Sequence, residues 1–429
     1  MPCALKAPHF LGNRKPDYPP AAKPATSRME SRMTRSKYFT ALALMGLILL
    51  TAIISPANNP AQAQTMDTPA THAVILDAGS GTILFEKASA EPFSPASMSK
   101  LMTIYLAFEL IREGSSRLSD TTIVSEQAWR NWRGRGSTMF LNAGDEVTIA
   151  DLLRGIIVQS GNDATVVLAE ALAGTEANYV EWMNIKAEQI GLKDSHFMNS
   201  NGWPEEGHMM SARDLATLAY RTVLDFPELY TMYAETTFSY GVDPSTGEPI
   251  EQSNRNPILY SVEGADGLKT GHTQEAGYSL VGSAIRDGRR VVVVIAGLET
   301  ARSRSREAQR LIEYAYRNFK TYELFKAGQV VETADVWLGQ KGTVPLVVAD
   351  DVAFTMSRSD RNRMTITLSY DSPIPAPILT GTPLATITIQ VQGKPDRVIP
   401  LLAGRDVEAI GGFAKIGAAF RYLIFGAAD

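Results

Sequence analysis

Cysteine is almost missing: among 429 residues the one thiol is Cys3, close to the N-terminus. A chain that keeps no thiol once an N-terminal leader is removed makes no disulfide, offers no thiolate to a metal and has no cysteine nucleophile. Histidine is nearly as scarce. After the leader only His72, His196, His208 and His272 remain, and none stands at the His-x-x-x-His spacing that puts two imidazoles on one helix face. That argues against a zinc hydrolase, and neither a metal nor a cofactor is expected. A basic excess is absent too. Lysine and arginine number 41 against 46 aspartates and glutamates, a net charge of -5, so little is available to displace counterions from phosphates and no nucleic-acid partner is expected. A hydrolase built from this composition uses an oxygen nucleophile.

What is present begins with an address. Thr34-Arg35-Ser36-Lys37 is basic, and Tyr38 to Ile54 is apolar apart from Thr40, Gly46 and Thr51. Pro56 and Pro60 then precede Ala61-Gln62-Ala63, a small-x-small site. This order is that of a secretory signal peptide cut after Ala63, and the apolar run is short for a spanning helix. Residues 1–32 are basic, Pro-rich and unpatterned, and Met29 or Met33 is a more ordinary start. Residues 1–63 are therefore assigned to an extension and leader. The chain is too long for one typical core, which predicts two or three domains.

Ser94-Pro95-Ala96-Ser97-Met98-Ser99-Lys100 opens an apolar-periodic run reaching about Ile111. In a helix the three-residue spacing of Ser97 and Lys100 puts hydroxyl and amine on one face. The unpaired N–H groups of the first turn would then disfavour the ammonium form and favour an oxyanion beside Ser97. The alternative is a plain helix start with Ser94 or Ser97 as its cap and a solvated Lys100.

Around this stretch, His72–Asp77 and Thr82–Lys87 read as a hairpin about Ala78-Gly79-Ser80-Gly81. Residues 115–147 are irregular and polar, with Trp129, Trp132 and Gly134-Arg135-Gly136. Ile149–Val158 and Asp163–Ala173 carry helical periodicity on either side of a break at Ser160-Gly161-Asn162, and further helices are expected over Tyr179–Ile190 and Ser211–Val223. Gly267–Thr273, Tyr278–Ile285 and Arg290–Leu298 form a meander turning at Asp287-Gly288, and Arg302–Tyr322 is expected to be a helix. Strands at both ends with helices between predict an α+β domain over 64–322, one antiparallel sheet flanked by helices. Short strands separated by turn residues follow, predicting a small all-β domain over 323–402. In 403–429, Ile410, Phe413, Ile416, Phe420, Leu423 and Ile424 share one side of a helical wheel, as in an amphipathic helix that lies on a membrane surface or docks on its own domain.

A further triplet, Lys269-Thr270-Gly271, starts a strand; it is expected only about 0.1 times by chance in a chain this size. Ser97-x-x-Lys100, Ser160-Gly161-Asn162 and Lys269-Thr270-Gly271 come in the order known from penicillin-binding proteins and class A β-lactamases. With Gly267-Leu268-Lys269-Thr270-Gly271-His272-Thr273, Ala276-Gly277-Tyr278, Asn254-Arg255-Asn256, His196-Phe197-Met198-Asn199 and Arg306-Glu307-Ala308, nearly the whole mature chain resembles the serine D-alanyl-D-alanine carboxypeptidases, the small periplasmic penicillin-binding proteins. A Ser-Gly-Asn second motif, where the wider pattern has Ser-Asp-Asn, leans toward the carboxypeptidases. Glu181-Trp182-Met183-Asn184 echoes a β-lactamase Glu-x-x-x-Asn segment but is one residue short.

The resemblance implies a penicillin-binding/β-lactamase-like transpeptidase domain, a β-rich second domain and a membrane-associating tail. It implies that Ser97 attacks the carbonyl between the two terminal D-alanines of a peptidoglycan stem peptide and is acylated by β-lactams. Lys100 would be the base, Ser160 the relay to the leaving amine, and Asn162 a contact for the substrate amide and Lys100. Lys269 would supply positive potential, Thr270 and Arg306 would bind the terminal carboxylate, and Arg255 would line the cleft. Gly271 belongs to the same strand, and the backbone N–H groups of Ser97 and His272 would form the oxyanion hole. His196 and His208 are read as structural. The expected location is the outer face of the inner membrane. Other readings are a D,D-endopeptidase, a β-lactamase, which lacks a convincing deacylating carboxylate here, and a non-catalytic wall-binding protein.

Overall fold

The computed structural model describes residues 66–243, 245–391, 396–412 and 417. The expected leader and most of the expected C-terminal helix lie outside these residues. Five antiparallel strands form the frame of the larger domain: β1 (His72–Asp77), β2 (Thr82–Lys87), β3 (Ala265–Thr273), β4 (Gly277–Arg286) and β5 (Arg289–Leu298), in the order β2-β1-β5-β4-β3. β1 pairs directly with β5, Ala73 opposite Ile295 and Ile75 opposite Val293, so the two ends of the domain close one sheet. Asp287 and Gly288, at φ 49° and 76°, make the β4–β5 turn. Positive φ at both central residues suits the twist of a two-residue hairpin, and Asp-Gly tolerates it.

The apolar run of β5 is explained by what covers it. Val291, Val293 and Ile295 pack with Ala308, Leu311, Ile312 and Ala315 of the helix Ala301–Asn318, here α7. Val292 and Val294 point the other way, into the core shared with the remaining helices. Alternate residues of a strand face opposite sides, so a sheet covered twice needs apolar residues at every position. Each such side chain contributes about 1.5–3 kcal/mol by leaving water.

The second face carries α1 (Lys100–Arg112), α2 (Glu126–Trp132), α3 (Ile149–Val158), α4 (Asn162–Ala173), α5 (Glu176–Gln189) and α6 (Ala212–Asp225). Ser211 caps α6 by accepting from the Asp214 N–H, and Thr148 caps α3 by accepting from the Asp151 N–H. Within the irregular segment 115–147 stand α2 and a short strand pair, Thr121–Ile123 with Glu146–Thr148. A hairpin of Thr237–Val242 and Pro249–Ser253 was also not evident from the sequence.

The helix expected over 302–322 ends at Asn318, and Phe319–Phe325 is a strand paired with Val352–Ser357. The Arg289 guanidinium donates to the carbonyls of Ala315 (3.4 Å) and Phe319 (2.9 Å), beside the Phe319 N–H that closes the last helical turn on Ala315. The β domain has its own core, in which Val344, Leu346, Ile387, Ile389 and Leu401 meet. Among the described residues no helix is long and apolar enough to cross a membrane.

Candidate active site

Ser97 stands in a 3-10 turn, Ala96–Ser99, that runs straight into α1, rather than in the α-helix itself. Ala96 has φ 49°, a left-handed conformation costly for a residue with a Cβ. Its carbonyl accepts from the Ser99 hydroxyl at 3.2 Å, and Gly202 packs against the same carbonyl so closely that a Cβ there would lie 2.1 Å away. Gly271 of β3 approaches from another direction, its added Cβ falling 2.8 Å from the Pro95 carbonyl. The turn is thus gripped between a strand and a loop. Ser97 is half-buried, while Ala96, Met98, Ser99 and Lys100 around it are buried.

The Lys100 amine has three neighbours: Ser97 Oγ at 3.0 Å, Asn162 Oδ1 at 2.8 Å and the Asn201 carbonyl. Two of these can only accept. A neutral amine has two N–H groups and one lone pair, so it satisfies both acceptors and keeps the lone pair for the Ser97 hydroxyl proton. The surroundings favour that state. Full burial pulls the Lys100 pKa down to about 7, the Arg255 charge adds to the effect, and Asp163 opposes it. The cause differs from the expectation, which places it in the N–H groups of the first helical turn.

A second hydroxyl–amine pair lies alongside. Lys269 on β3 donates to Ser160 Oγ at 2.8 Å and to the Thr270 carbonyl at 3.1 Å. Burial, then Lys100, Arg255 and Arg304, hold its pKa well below the usual lysine range. Ser160 sits at φ 62° in the break between α3 and α4, where its hydroxyl meets the Lys269 amine. Asn162 joins the Ser97–Lys100 pair to the 135–137 segment: its Nδ2 donates to the Arg135 carbonyl at 3.1 Å and its N–H to the Ser137 carbonyl at 2.7 Å. Arg255 donates to Ser137 Oγ. Asp163, raised in pKa by burial, has its two oxygens occupied by the backbone N–H groups of Met139, Leu141 and Ala164, which anchors this segment.

Of the residues expected in the site, the hydrogen bonds link Ser97, Lys100, Asn162, Ser160 and Lys269 into adjoining clusters, with Thr270 and Gly271 on the same strand. His272 is exposed and stacks on Tyr278 at 3.9 Å. His208 is buried, its pKa lowered to about 4 by burial, and its Nδ1 accepts from the Met198 N–H.

Arg306 is not brought in. It is exposed on α7, on the face that also carries Arg310, Glu313 and Arg317. Arg304 is the inward arginine of this helix: its charge lowers the Lys269 pKa, its guanidinium lies 5.7 Å over the Tyr278 ring, and its Nε is buried with no partner. Helical register could have found it, because Arg304 continues the buried positions 308, 311, 312 and 315, whereas Arg306 does not. Asn201 left no signal, since it acts through a backbone carbonyl.

Residues 58–300 match the D-alanyl-D-alanine carboxypeptidase family, Peptidase_S11. The chain belongs to this family. Residues 319–409 match the C-terminal domain of penicillin-binding protein 5. The carboxypeptidase DacC of Escherichia coli (strain K12) is 34% identical over 361 residues, 82% of this chain and 88% of that protein. DacF of Bacillus subtilis (strain 168) is 32% identical and covers 86% of this chain and 94% of its own length. The crystal structure of penicillin-binding protein 5 from Haemophilus influenzae superposes with a TM-score of 0.72 at 33% identity, covering 80% of this chain and 99% of that one. The enzyme is accordingly a serine-type D-alanyl-D-alanine carboxypeptidase with the penicillin-binding fold and an all-β C-terminal domain.

Proposed function

We propose that Ser97 forms the acyl-enzyme when this carboxypeptidase removes the terminal D-alanine from a peptidoglycan pentapeptide, and that penicillins acylate the same hydroxyl. The observation that carries this is the buried Lys100 amine 3.0 Å from Ser97 Oγ: its other two partners only accept, so once neutral its lone pair is directed at the Ser97 proton. Lys100 takes that proton as Oγ attacks the carbonyl carbon, and the N–H groups of Ser97 and His272 receive the developing oxyanion. Ser160, bonded to Lys269, hands a proton to the departing amine. Thr270, Lys269 and Arg304 bind the substrate carboxylate; the buried, unpartnered Nε of Arg304 supports its part. Asn162 holds Lys100 and contacts the substrate amide, and Arg255 lines the cleft. Water then attacks the acyl-enzyme to release the tetrapeptide. We place the mature enzyme outside the inner membrane, with the segment 403–429 resting on the membrane surface.

The test uses the purified mature chain with a fluorescent penicillin and with a stem-peptide analogue ending in two D-alanines. Labelling and D-alanine release are both expected and both disappear in Ser97→Ala. Labelling without release from the peptide would overturn the carboxypeptidase step, and release by Ser97→Ala would overturn the choice of nucleophile.

A further inference from the structure

A cavity of about 380 Å³ beside Asn162 takes no part in the chemistry above. Trp132, Arg135, Glu176, Met198, Trp203 and Glu205 shape it. It is large enough for one long side chain. The Arg135 guanidinium lies over both indoles, 5.2 Å from the Trp132 ring and 5.0 Å from Trp203, and the two rings meet edge to face at 5.4 Å. Its one side-chain hydrogen bond among the described residues is a long one, 3.4 Å, to the Asn131 carbonyl, and no carboxylate there pairs with it. A planar guanidinium held by two aromatic faces and short of partners is suited to a carboxylate.

The same cavity presents two carboxylates, each fixed through one oxygen. Glu176 Oε1 accepts from the Ser200 N–H (3.1 Å) and hydroxyl (2.6 Å), and Glu205 Oε2 accepts from Asn199 Nδ2 (2.9 Å). Anchored carboxylates beside indole faces suit an ammonium. Trp203 and Met198, 37% and 40% exposed, offer apolar surface for methylenes. The occupant this describes is a short aliphatic chain ending in both an ammonium and a carboxylate.

Two asparagines connect the cavity to the nucleophile's base. Asn162 donates to the Arg135 carbonyl with Nδ2 and accepts from Lys100 with Oδ1. Asn201 accepts from the Trp203 N–H with Oδ1, at 3.0 Å, and from Lys100 with its carbonyl. A Cβ on Gly136 would lie 2.8 Å from Asn162 Nδ2 and 3.2 Å from the Trp203 ring, so one glycine separates the cavity wall from the catalytic asparagine. The carboxylate-binding groups belong to other elements, β3 and α7.

We propose that this cavity seats the side chain of the diamino acid that precedes the two terminal D-alanines, and that Arg135 makes the enzyme prefer a side chain ending in ammonium and carboxylate over one ending in ammonium alone. The proposal rests on the carboxypeptidase reading and deepens it. The test measures equilibrium binding to the full mature chain carrying Ser97→Ala, by calorimetry, so that turnover is not needed. Three stem peptides ending in two D-alanines differ only at the third residue: diaminopimelate, lysine or norleucine. The diaminopimelate peptide is expected to bind about tenfold more tightly than the lysine peptide, and norleucine most weakly. Adding Arg135→Gln brings the first two within about twofold, and Arg135→Lys restores part of the gap. Equal affinities for the three peptides, or an undiminished preference in Arg135→Gln, would overturn the proposal. So would an Arg135→Gln effect of the same size on all three peptides, which would reduce Arg135 to a support for Asn162. Failure of the unmutated enzyme to release D-alanine from peptides that bind with this preference counts against the acyl-enzyme mechanism alone.

Discussion

As the proposed base, Lys100 would tie the rate of the enzyme to pH in a defined direction. Below its lowered pKa of about 7 the amine is protonated and has no lone pair for the Ser97 proton. Acylation by a penicillin is therefore expected to rise as pH passes through about 7 and to level off above it; a flat stopped-flow profile from pH ~5.5 to ~8.5 would refute Lys100 as the base. Removing the Arg255 charge relieves one cause of the lowered pKa, so Arg255→Gln moves the inflection to higher pH. The move is smaller than the effect of burial, which is the larger cause. The arginines of α7 separate in the same way by position. Arg304→Gln is expected to raise KM for the peptide about 10–100-fold, the range for a lost hydrogen bond to a charged group, while Arg306→Gln leaves it within about twofold. Equal effects in steady-state D-alanine release would return Arg306 to the site.

At the scale of elements, the turn that carries Ser97 depends on neighbours with no Cβ. Gly202 has φ 78° and sits against the Ala96 carbonyl and Ser99 Oγ, so Gly202→Ala adds backbone strain and a clash. A loss of about 2–4 kcal/mol in urea unfolding is expected, together with slower acylation as the turn shifts. The three short motifs, the strand meander and the helix break at Ser160 were legible because each is local: spacing along the chain becomes proximity in a turn or on a strand. One sheet built from both ends of the domain was legible as well, from strands at both ends with helices between, whereas the direct pairing of β1 with β5 was not. What stayed hidden acts through the backbone or through register. The Asn201 carbonyl has no side-chain signature, and the stack of Trp132, Arg135 and Trp203 joins the end of α2 and the turn after it to a loop far away in sequence. The end of α7 was misplaced because no local glycine or proline marks it, and from Phe319 the chain instead pairs with Val352–Ser357, a partner far away in sequence.

For the whole molecule, the separate core of the β domain predicts separable folding. The hydrophobic clusters on the two faces of the five-stranded sheet do not include the β-domain residues, and a hydrogen bond between Ser80 and Thr355 is one of the contacts that cross. A chain of residues 64–322, which keeps Phe319 in its cluster, is expected to fold and to be acylated by penicillin within about threefold of the longer protein's rate. Aggregation or loss of labelling would show that the β domain is needed to shape the site. One consequence of the burial of Lys100 concerns how the enzyme dies. Its reactivity is a property of dryness: a site that merely swells and admits water returns the amine toward its ordinary, protonated state without any secondary structure being lost. Moderate urea at neutral pH should therefore silence the enzyme while its far-UV circular dichroism is still native, and raising the pH at the same urea concentration should restore much of the acylation rate.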